Sequence, residues 1–320
     1  MKNSQDFLLF SGKSDTEYLP RTDLACESDN TPVSGKGCII KEYELDSIPV
    51  SELVITDTEG ERIYKRRAGR YVTIHCPMDS SLPPDRRDAL TDALSILITS
   101  FIMNATGKPV TKDTKILIAG LGNRFLSSDS IGPKTCDKVA VTAHMSDSAH
   151  APLFELLGCA RVFAIHPGVL GQTGIEAALI IKGAAESARP DAIIAIDALA
   201  ARSSARLCAT VQLSDAGIEP GSGIGNRRRA VDKSTVGYPV IAIGVPTVVD
   251  CATLIFDALR NAGVCTIDDD IQKTLRENNE MLVSPKDSDI LSEEISDILA
   301  AAINTLFSAK AFSIIISFPS

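Results

Sequence analysis

Two aspartates of the sequence stand just after short apolar runs, where a sheet would expose them. Asp197 ends the run 192–196, and Asp129 follows the run 115–120. Two carboxylates that meet in one crevice can share a proton and act as general acid and base over one water, or they can hold a divalent cation. Each aspartate could instead cap a following helix, which for Asp197 would begin at Ala198.

Three nearby residues could shape a binding site. Gly122 and Asn123 belong to the turn after the run 115–120, and Phe125 at the third glycine position of that turn disfavours a dinucleotide site. Gly168 opens a glycine-rich loop through which another backbone, such as a peptide substrate, could approach closely.

Three further side chains could orient or activate a substrate group. His166 could be a metal ligand or a general base, or it could bond to backbone beside a Pro-Gly turn. Arg202 and Ser203 follow Asp197 closely and could orient its carboxylate. The glycine-rich stretch 214–229 ends in three arginines and could grip phosphate or an acidic peptide, or form an exposed basic loop.

Four short apolar runs in the middle of the chain predict the fold. They cover residues 115–120, 162–168, 192–197 and 240–246 and are apolar almost throughout, not at every second residue. Continuous apolar residues suit strands that are buried on both faces, and the stretches between them leave room for crossover helices. The sequence therefore predicts an α/β fold with an open, mainly parallel sheet sandwiched by helices.

Other elements flank this sheet. Residues 37–76 predict short strands, and hence a small β-rich N-terminal addition. Amphipathic spacing predicts three helices, with the N-caps Asp85, Asp250 and Ser292.

Composition limits the function. The net charge of −9 and the absence of tryptophan disfavour a nucleic-acid binder. Eight cysteines without a C-x-x-C pair predict no zinc site and a reducing compartment. The apolar run 7–10 is too short for a signal peptide, and Asn304 and Lys310 interrupt the apolar C-terminal stretch. We therefore expect a cytoplasmic protein that does not span a membrane.

Several long motifs also occur in one known family. In these motifs the chain resembles the germination proteases, or spore proteases, of spore-forming bacteria. The resemblance runs from about residue 110 to 259 and over 281–307, with one short N-terminal motif. The motifs are RTDLA (21–25), GLGN and SDSIGP (within 120–133), HPGVLGQTGIE (166–176), PDAIIAIDALAARS (190–203), SDAGIEPGSGIGN (214–226), GYPVIAIGVPTVVD (237–250) and LVSPKDSDI (282–290).

The resemblance implies an atypical aspartic endopeptidase without a cofactor. It implies that the enzyme begins the degradation of small acid-soluble proteins that coat spore DNA, in the cytoplasm of the spore core, as a homotetramer. It also implies a zymogen that cleaves itself between Asp23 and Leu24. Residues 1–23 would then be a propeptide, and residues 24–320 a single α/β protease domain.

The resemblance assigns catalysis to Asp129 and Asp197, with substrate-binding or site-shaping roles left to Gly122, Asn123, His166, Gly168, Arg202 and Ser203. The implied fold is similar to that of the hydrogenase-maturation endopeptidases, in which comparable acids bind a metal, so Asp129 and Asp197 could also be metal ligands. The chain departs from the family at His166, where arginine is usual, in a shortened segment near 260–281, and in its C-terminal tail. An inactive family member that acts as a binding protein is a further alternative.

Overall fold

One mixed sheet organises the protein. The computed structural model describes residues 22–27, 37–77, 82–146, 149–221, 228–264, 268–277 and 281–307. Within them the strand order is β1-β2-β3-β7-β8-β6-β4-β5, and β9 pairs with β8. The strands are β1 (Cys38–Leu45), β2 (Ile48–Ile55), β3 (Gly69–His75), β4 (Lys115–Gly120), β5 (Arg161–Ile165), β6 (Ala192–Ala201), β7 (Thr210–Ser214), β8 (Val240–Asp250) and β9 (Leu282–Val283).

The four apolar runs form the parallel half of this sheet. Strand β4 pairs in parallel with β5 and with β6, and β6 pairs in parallel with β8. Every residue of β8 is buried, as continuous apolar runs predict for a strand covered on both faces. The predicted α/β fold and the parallel pairing of these four strands are therefore confirmed. The prediction of a mainly parallel sheet is wrong for the described sheet as a whole, which is mixed, because β1, β2, β3, β7 and β9 add antiparallel pairs to it.

The other half of the sheet is antiparallel. Strands β1, β2 and β3 pair in sequence, β3 pairs with β7, and β7 pairs with β8. Buried and more exposed residues mix along β1 and β2, as expected where one face is less covered. The predicted β-rich N-terminal addition is thus joined to the main sheet through β7.

The helices cover the two faces of the sheet unequally. Helices α2 (Pro84–Thr106), α3 (Ile131–Lys138) and α10 (Ser288–Leu306) pack on the first face, in the main core. On the second face, α6 and α7 cover the parallel half, while α1 and the segment 22–27 lie against the antiparallel half. The helices are α1 (Thr58–Tyr64), α2 (Pro84–Thr106), α3 (Ile131–Lys138), α4 (Ala151–Leu157), α5 (Leu170–Thr173), α6 (Ala177–Ala188), α7 (Lys233–Val236), α8 (Cys251–Asn261), α9 (Asp269–Glu277) and α10 (Ser288–Leu306).

One of the three predicted helix starts is confirmed and two are wrong. The Asp250 carboxylate accepts a hydrogen bond from the Thr253 N–H and caps α8. Helix α2 begins at Pro84, because proline suits a first helical position and Asp85 lies inside the first turn. Helix α10 begins at Ser288, one turn before the predicted cap Ser292.

Helix α2 is long and apolar enough, by length and composition alone, to cross a membrane. Its apolar stripe packs into the main core against α10 and the sheet, however, and a core helix has the same composition. The expected likeness to hydrogenase-maturation endopeptidases stays a prediction. Residues 1–21 of the expected propeptide, the tail 311–320 and residues 222–227 of the glycine-rich stretch lie outside the described residues.

Candidate active site

Asp197 lies within a strand and does not cap a helix. Strand β6 runs on to Ala201, so the alternative of a helix beginning at Ala198 is wrong. The reason is pairing: β8 accompanies β6 as far as Ala201, which keeps the backbone extended beyond the carboxylate. The Asp197 side chain is only 4% exposed, and it accepts a hydrogen bond from the Ala198 N–H at 3.0 Å.

The edge of β6 that faces away from β8 has one neighbour before Asp197 and another after it. Strand β4 accompanies β6 up to Ile196, whose carbonyl accepts from the Leu121 N–H at 2.8 Å. At Ala200 the N-terminal segment takes over: the Asp23 N–H donates to the Ala200 carbonyl at 2.8 Å, and the Ala200 N–H donates to the Asp23 carboxylate at 2.9 Å. Asp197 therefore lies between the end of β4 and the Asp23 segment.

Asp129 reaches the same place from the loop after β4. It ends the short 3₁₀ helix Ser127–Asp129, and its carboxylate accepts a hydrogen bond from the Asn123 N–H at 2.9 Å. Gly122 has a φ of +105°, and a Cβ atom there would lie 2.2 Å from the Asp129 carbonyl oxygen. Only glycine fits this close approach. The turn of Gly122 and Asn123 thus holds Asp129, which does not cap α3.

Both carboxyl groups bind protons more tightly than an ordinary aspartate. Burial raises the pKa of Asp129 to about 6, although the Asn123 hydrogen bond opposes this rise. Burial also raises the pKa of Asp197 well above its ordinary value, and the negative charges of Asp129 and Asp23 raise it further. The mutual repulsion of neighbouring carboxylates favours one proton on the pair.

A cavity of about 320 Å³ brings most of the candidate residues together. The backbone loops and polar groups around it include six of the predicted site residues. Those six are Asp23, Gly122, Asn123, Gly168, Asp129 and Asp197. Gly168 lies in the loop before α5 and lines the cavity, and its φ of +71° is a conformation that favours glycine.

Three predicted residues contact other acids: His166 through its side chain, Arg202 through its side chain and main chain, and Ser203 through its main chain. His166 is about half exposed, and its Nε2 lies 3.8 Å from the Asp137 carboxylate. The Arg202 guanidinium forms an ion pair with Asp257 at 3.2 Å. The main-chain N–H groups of Arg202 and Ser203 do orient a carboxylate, but it is that of Glu27, at 2.7 and 3.1 Å, and not that of Asp197.

The segment 22–27 is held firmly over the sheet. Leu24 is only 1% exposed and packs against Leu199 and Ala201 of β6. The Glu27 carboxylate also accepts from the Thr22 hydroxyl at 2.5 Å and pairs with Arg206 at 3.1 Å. The chain on both sides of the predicted processing bond Asp23–Leu24 is thus fixed next to the cavity.

The sequence reasoning missed Glu27, Arg206 and Gln212. Gln212 contacts the main chain of the segment 22–27 from strand β7. Its one signal in the sequence was a long amide in the strand TVQLS, where it interrupts apolar residues. Glu27 and Arg206 are charged residues in polar surroundings, and nothing in their spacing relates them.

The donor set for a metal is small. In the part of the chain that the structure describes, no three His, Cys, Asp or Glu side chains are grouped so that they could hold a metal ion. Two carboxylates alone could supply oxygen ligands only, which suit hard divalent cations better than zinc.

Fold and site together define an α/β protein with a paired-carboxylate cleft at the carboxyl ends of parallel strands. A family model described as germination protease matches residues 21–262. The germination protease of Priestia megaterium is 39% identical over 76% of this chain and 67% of its own length. That of Clostridium tetani is 32% identical over 89% of this chain and 94% of its own length. The chain belongs to the germination protease family and is therefore a peptidase by descent.

Proposed function

We propose that this protein is a self-processing endopeptidase that uses Asp129 and Asp197 to activate water. The observation that carries the proposal is the position of the bond Asp23–Leu24. Asp23 lines the same cavity as the two acids and bonds to β6 at Ala200, while Leu24 is buried beside it. The residue that precedes this bond thus lies at the cavity that holds both carboxyl groups.

The two pKa values divide the roles of the acids. Asp129, with a pKa of about 6, is ionised near neutral pH. Burial and the negative charges of Asp129 and Asp23 raise the pKa of Asp197 well above its ordinary value, so we assign the proton of the pair to Asp197. Asp129 takes a proton from a water molecule while the oxygen of that water attacks the Asp23 carbonyl carbon. Asp197 gives its proton to the Leu24 nitrogen as the C–N bond breaks. The products are a carboxyl group on Asp23 and an amine on Leu24, and the acid pair then returns its proton to the starting arrangement.

Family membership supports the wider biological role that we propose. The substrates are small acid-soluble proteins that coat spore DNA, cleaved in the cytoplasm of the spore core when germination begins. Residues 1–23 form the propeptide, residues 24–320 form the protease domain, and the active enzyme is a homotetramer without a cofactor. While the propeptide remains attached, its last residue, Asp23, occupies the edge of β6 at Ala200 and so covers one end of the cavity.

Incubation of the purified full chain tests the proposal. We expect a loss of mass that corresponds to residues 1–23, a new N-terminus at Leu24, and cleavage of added small acid-soluble spore protein afterwards. A chain that stays intact and leaves that protein uncut while retaining its binding would instead support an inactive family member that acts as a binding protein.

Exhaustive chelation separates the metal-dependent alternative that uses the same two acids. We expect the first-order rate of mass loss to remain within about twofold after chelation, because the acid pair supplies both proton transfers. A rate that collapses on chelation and returns with one added divalent cation would show that Asp129 and Asp197 act as metal ligands.

A further inference from the structure

Gln212 lies in line with Asp197 across the sheet. In β7 it pairs with Gly244 of β8, and Gly244 pairs with Asp197 of β6. Residues that pair directly point to the same face, so Gln212 and Asp197 share the face that carries the segment 22–27. Two strand spacings separate them, about 10 Å. Gln212 is only 8% exposed, so its amide must find partners inside the protein.

Those partners are the peptide groups on both sides of Leu24. The Gln212 Oε1 atom accepts a hydrogen bond from the Ala25 N–H at 2.7 Å, and the Nε2 atom donates to the Asp23 carbonyl oxygen at 3.4 Å. Because the Ala25 N–H is a donor, it requires the amide oxygen, and the amide NH₂ is then left for the carbonyl. One side chain therefore holds both the carbonyl of the bond Asp23–Leu24 and the next peptide N–H.

Gly244 allows this arrangement at the centre of the row. A Cβ atom at Gly244 would lie 2.3 Å from the Leu199 Cδ1 atom, so the absence of a side chain lets Leu199 fold over β8. Leu24 packs on Leu199. The segment is thus supported from below by Leu199, at its edge by Ala200, and from β7 by Gln212.

We propose that Gln212 is a positioning residue for peptide cleavage, which fixes the peptide across the reacting bond by its main-chain atoms alone. This inference rests on the proposed function of the acid pair. Main-chain N–H and carbonyl groups are common to all peptides, so Gln212 holds a protein substrate in the same way once residues 1–23 have left. The contact decides which bond of the peptide lies against the acids, whatever the side chains are.

The first test replaces Gln212 by leucine in the full chain, with Ser214→Ala as the matched control. Ser214 is also buried, two residues further along the same face of β7, and its hydroxyl accepts from the Ala216 N–H, outside the segment 22–27. We expect Gln212→Leu to slow the appearance of the Leu24 N-terminus about 10- to 100-fold, because a misplaced peptide reacts slowly. We also expect new products cut at neighbouring bonds, which a loss of stability alone would not produce.

The second test removes the other partner of the same hydrogen bond. Translation of the full chain in vitro with lactic acid in place of Ala25 exchanges that N–H for an ester oxygen and leaves every side chain in place. We expect this change to slow processing about tenfold in the otherwise unaltered protein. In the Gln212→Leu protein it should slow processing no further, because the bond is already lost.

The outcomes separate the two proposals. A chain that never releases residues 1–23 overturns the proposed function and this inference with it. If the unaltered chain is processed and Gln212→Leu matches it in rate and cleavage position, the inference alone is wrong. Should Gln212→Leu fail to fold, the ester protein decides: unchanged processing at Leu24 contradicts the inference, and slowed processing supports it.

Discussion

The two halves of the sheet share strand β8 and are built for different purposes. In the parallel half, helices cover both faces, and the strands β4, β6 and β8 are almost wholly buried. In the antiparallel half the second face carries α1 and the segment 22–27, with a groove of about 540 Å³ lined in part by Ala25, Cys26, Thr73 and His75. Burial raises the pKa values of the two acids in the first half, while the groove of the second half leaves room for a polypeptide.

The proposed acids and the peptide-binding residue lie on opposite sides of β8, the strand that the two halves share. Asp197 belongs to the parallel half, Gln212 to the antiparallel half, and Gly244 joins them in a single row. A carboxyl group needs burial to hold its proton at neutral pH, whereas an extended peptide needs exposed hydrogen-bonding partners. A sheet that is covered differently in its two halves supplies both.

The largest expected effect comes from removing the acids of the parallel half. Asp197→Asn or Asp129→Asn should slow release of residues 1–23 by about a thousandfold or more, because each proton transfer loses its carrier. Mass spectrometry over time measures the rate. Asp191→Asn, directly before the opposite end of β6, is the matched control, since its carboxylate accepts a hydrogen bond from the Lys115 N–H and does not line the cavity of the acids. Full activity in either acid variant would contradict the assignment.

The pH dependence of processing tests the same half without a mutation. Asp129 must be ionised to act as base, so the rate should fall about tenfold per unit as pH drops below its pKa of about 6. The rate should also fall once pH rises above the raised pKa of Asp197, because the group that protonates the leaving nitrogen is then lost. Circular dichroism at each pH excludes unfolding as the cause. A rate that rises steadily from pH 7 down to pH 4 would show that Asp129 is not the base.

Stability should change in opposite directions at Asp129, which is partly buried, and at Asp232, which is buried. Asp129 has a pKa of about 6 in the folded protein, so folding loses stability as pH rises from about 4 to 6. Asp129→Asn should therefore raise the free energy of unfolding at pH 7 by on the order of 2–3 kcal/mol, and the gain should vanish near pH 4.

Asp232 provides the contrasting variant. Hydrogen bonds from Ser234, the Thr235 N–H and Arg67 bring its pKa to about 2 despite burial. Asp232→Asn should lower the free energy of unfolding by about 1 kcal/mol at pH 7, and the loss should shrink as pH falls towards 2. Denaturant unfolding at pH 4 and pH 7 measures both variants, and equal signs for the two would refute the pKa assignments.

The smallest expected effect on processing comes from a change at Gly244, in the strand β8 that joins the two halves. Gly244→Ala should push Leu199 out of place and so disturb the support of Leu24, slowing processing about tenfold. Gly183→Ala, on the exposed side of α6, is the control, because an added Cβ there meets nothing within 4 Å. Unchanged processing in Gly244→Ala would mean that Leu199 does not position the segment.

The parallel half was predictable from sequence because its signals are local. Continuous apolar runs define strands that must be buried on both faces, and such strands expose polar residues at their carboxyl ends. That reasoning correctly brought Asp129 and Asp197 to one cavity, although Asp197 lies within β6 and not at its carboxyl end. It failed at the ends of elements, where Pro84 and Ser288 begin helices expected at later residues, and in taking Ala198 as a helix start. Those boundaries depend on neighbouring strands and helices, which the local sequence does not show.

Sequence alone thus determined the family and the α/β fold class and singled out the two acids that we propose as catalytic, since motif order, hydrophobic period and residue type are properties of the chain itself. Tertiary structure decided the rest. It directed the main-chain N–H groups of Arg202 and Ser203 to Glu27, left His166 about half exposed, and brought Gln212 to the main chain of residues 23–25. The physical reason is distance along the chain: Ala25 and Gln212 meet only because β7 pairs with β8 and the N-terminal segment with β6, and hydrogen bonds between such distant residues leave no trace in local spacing.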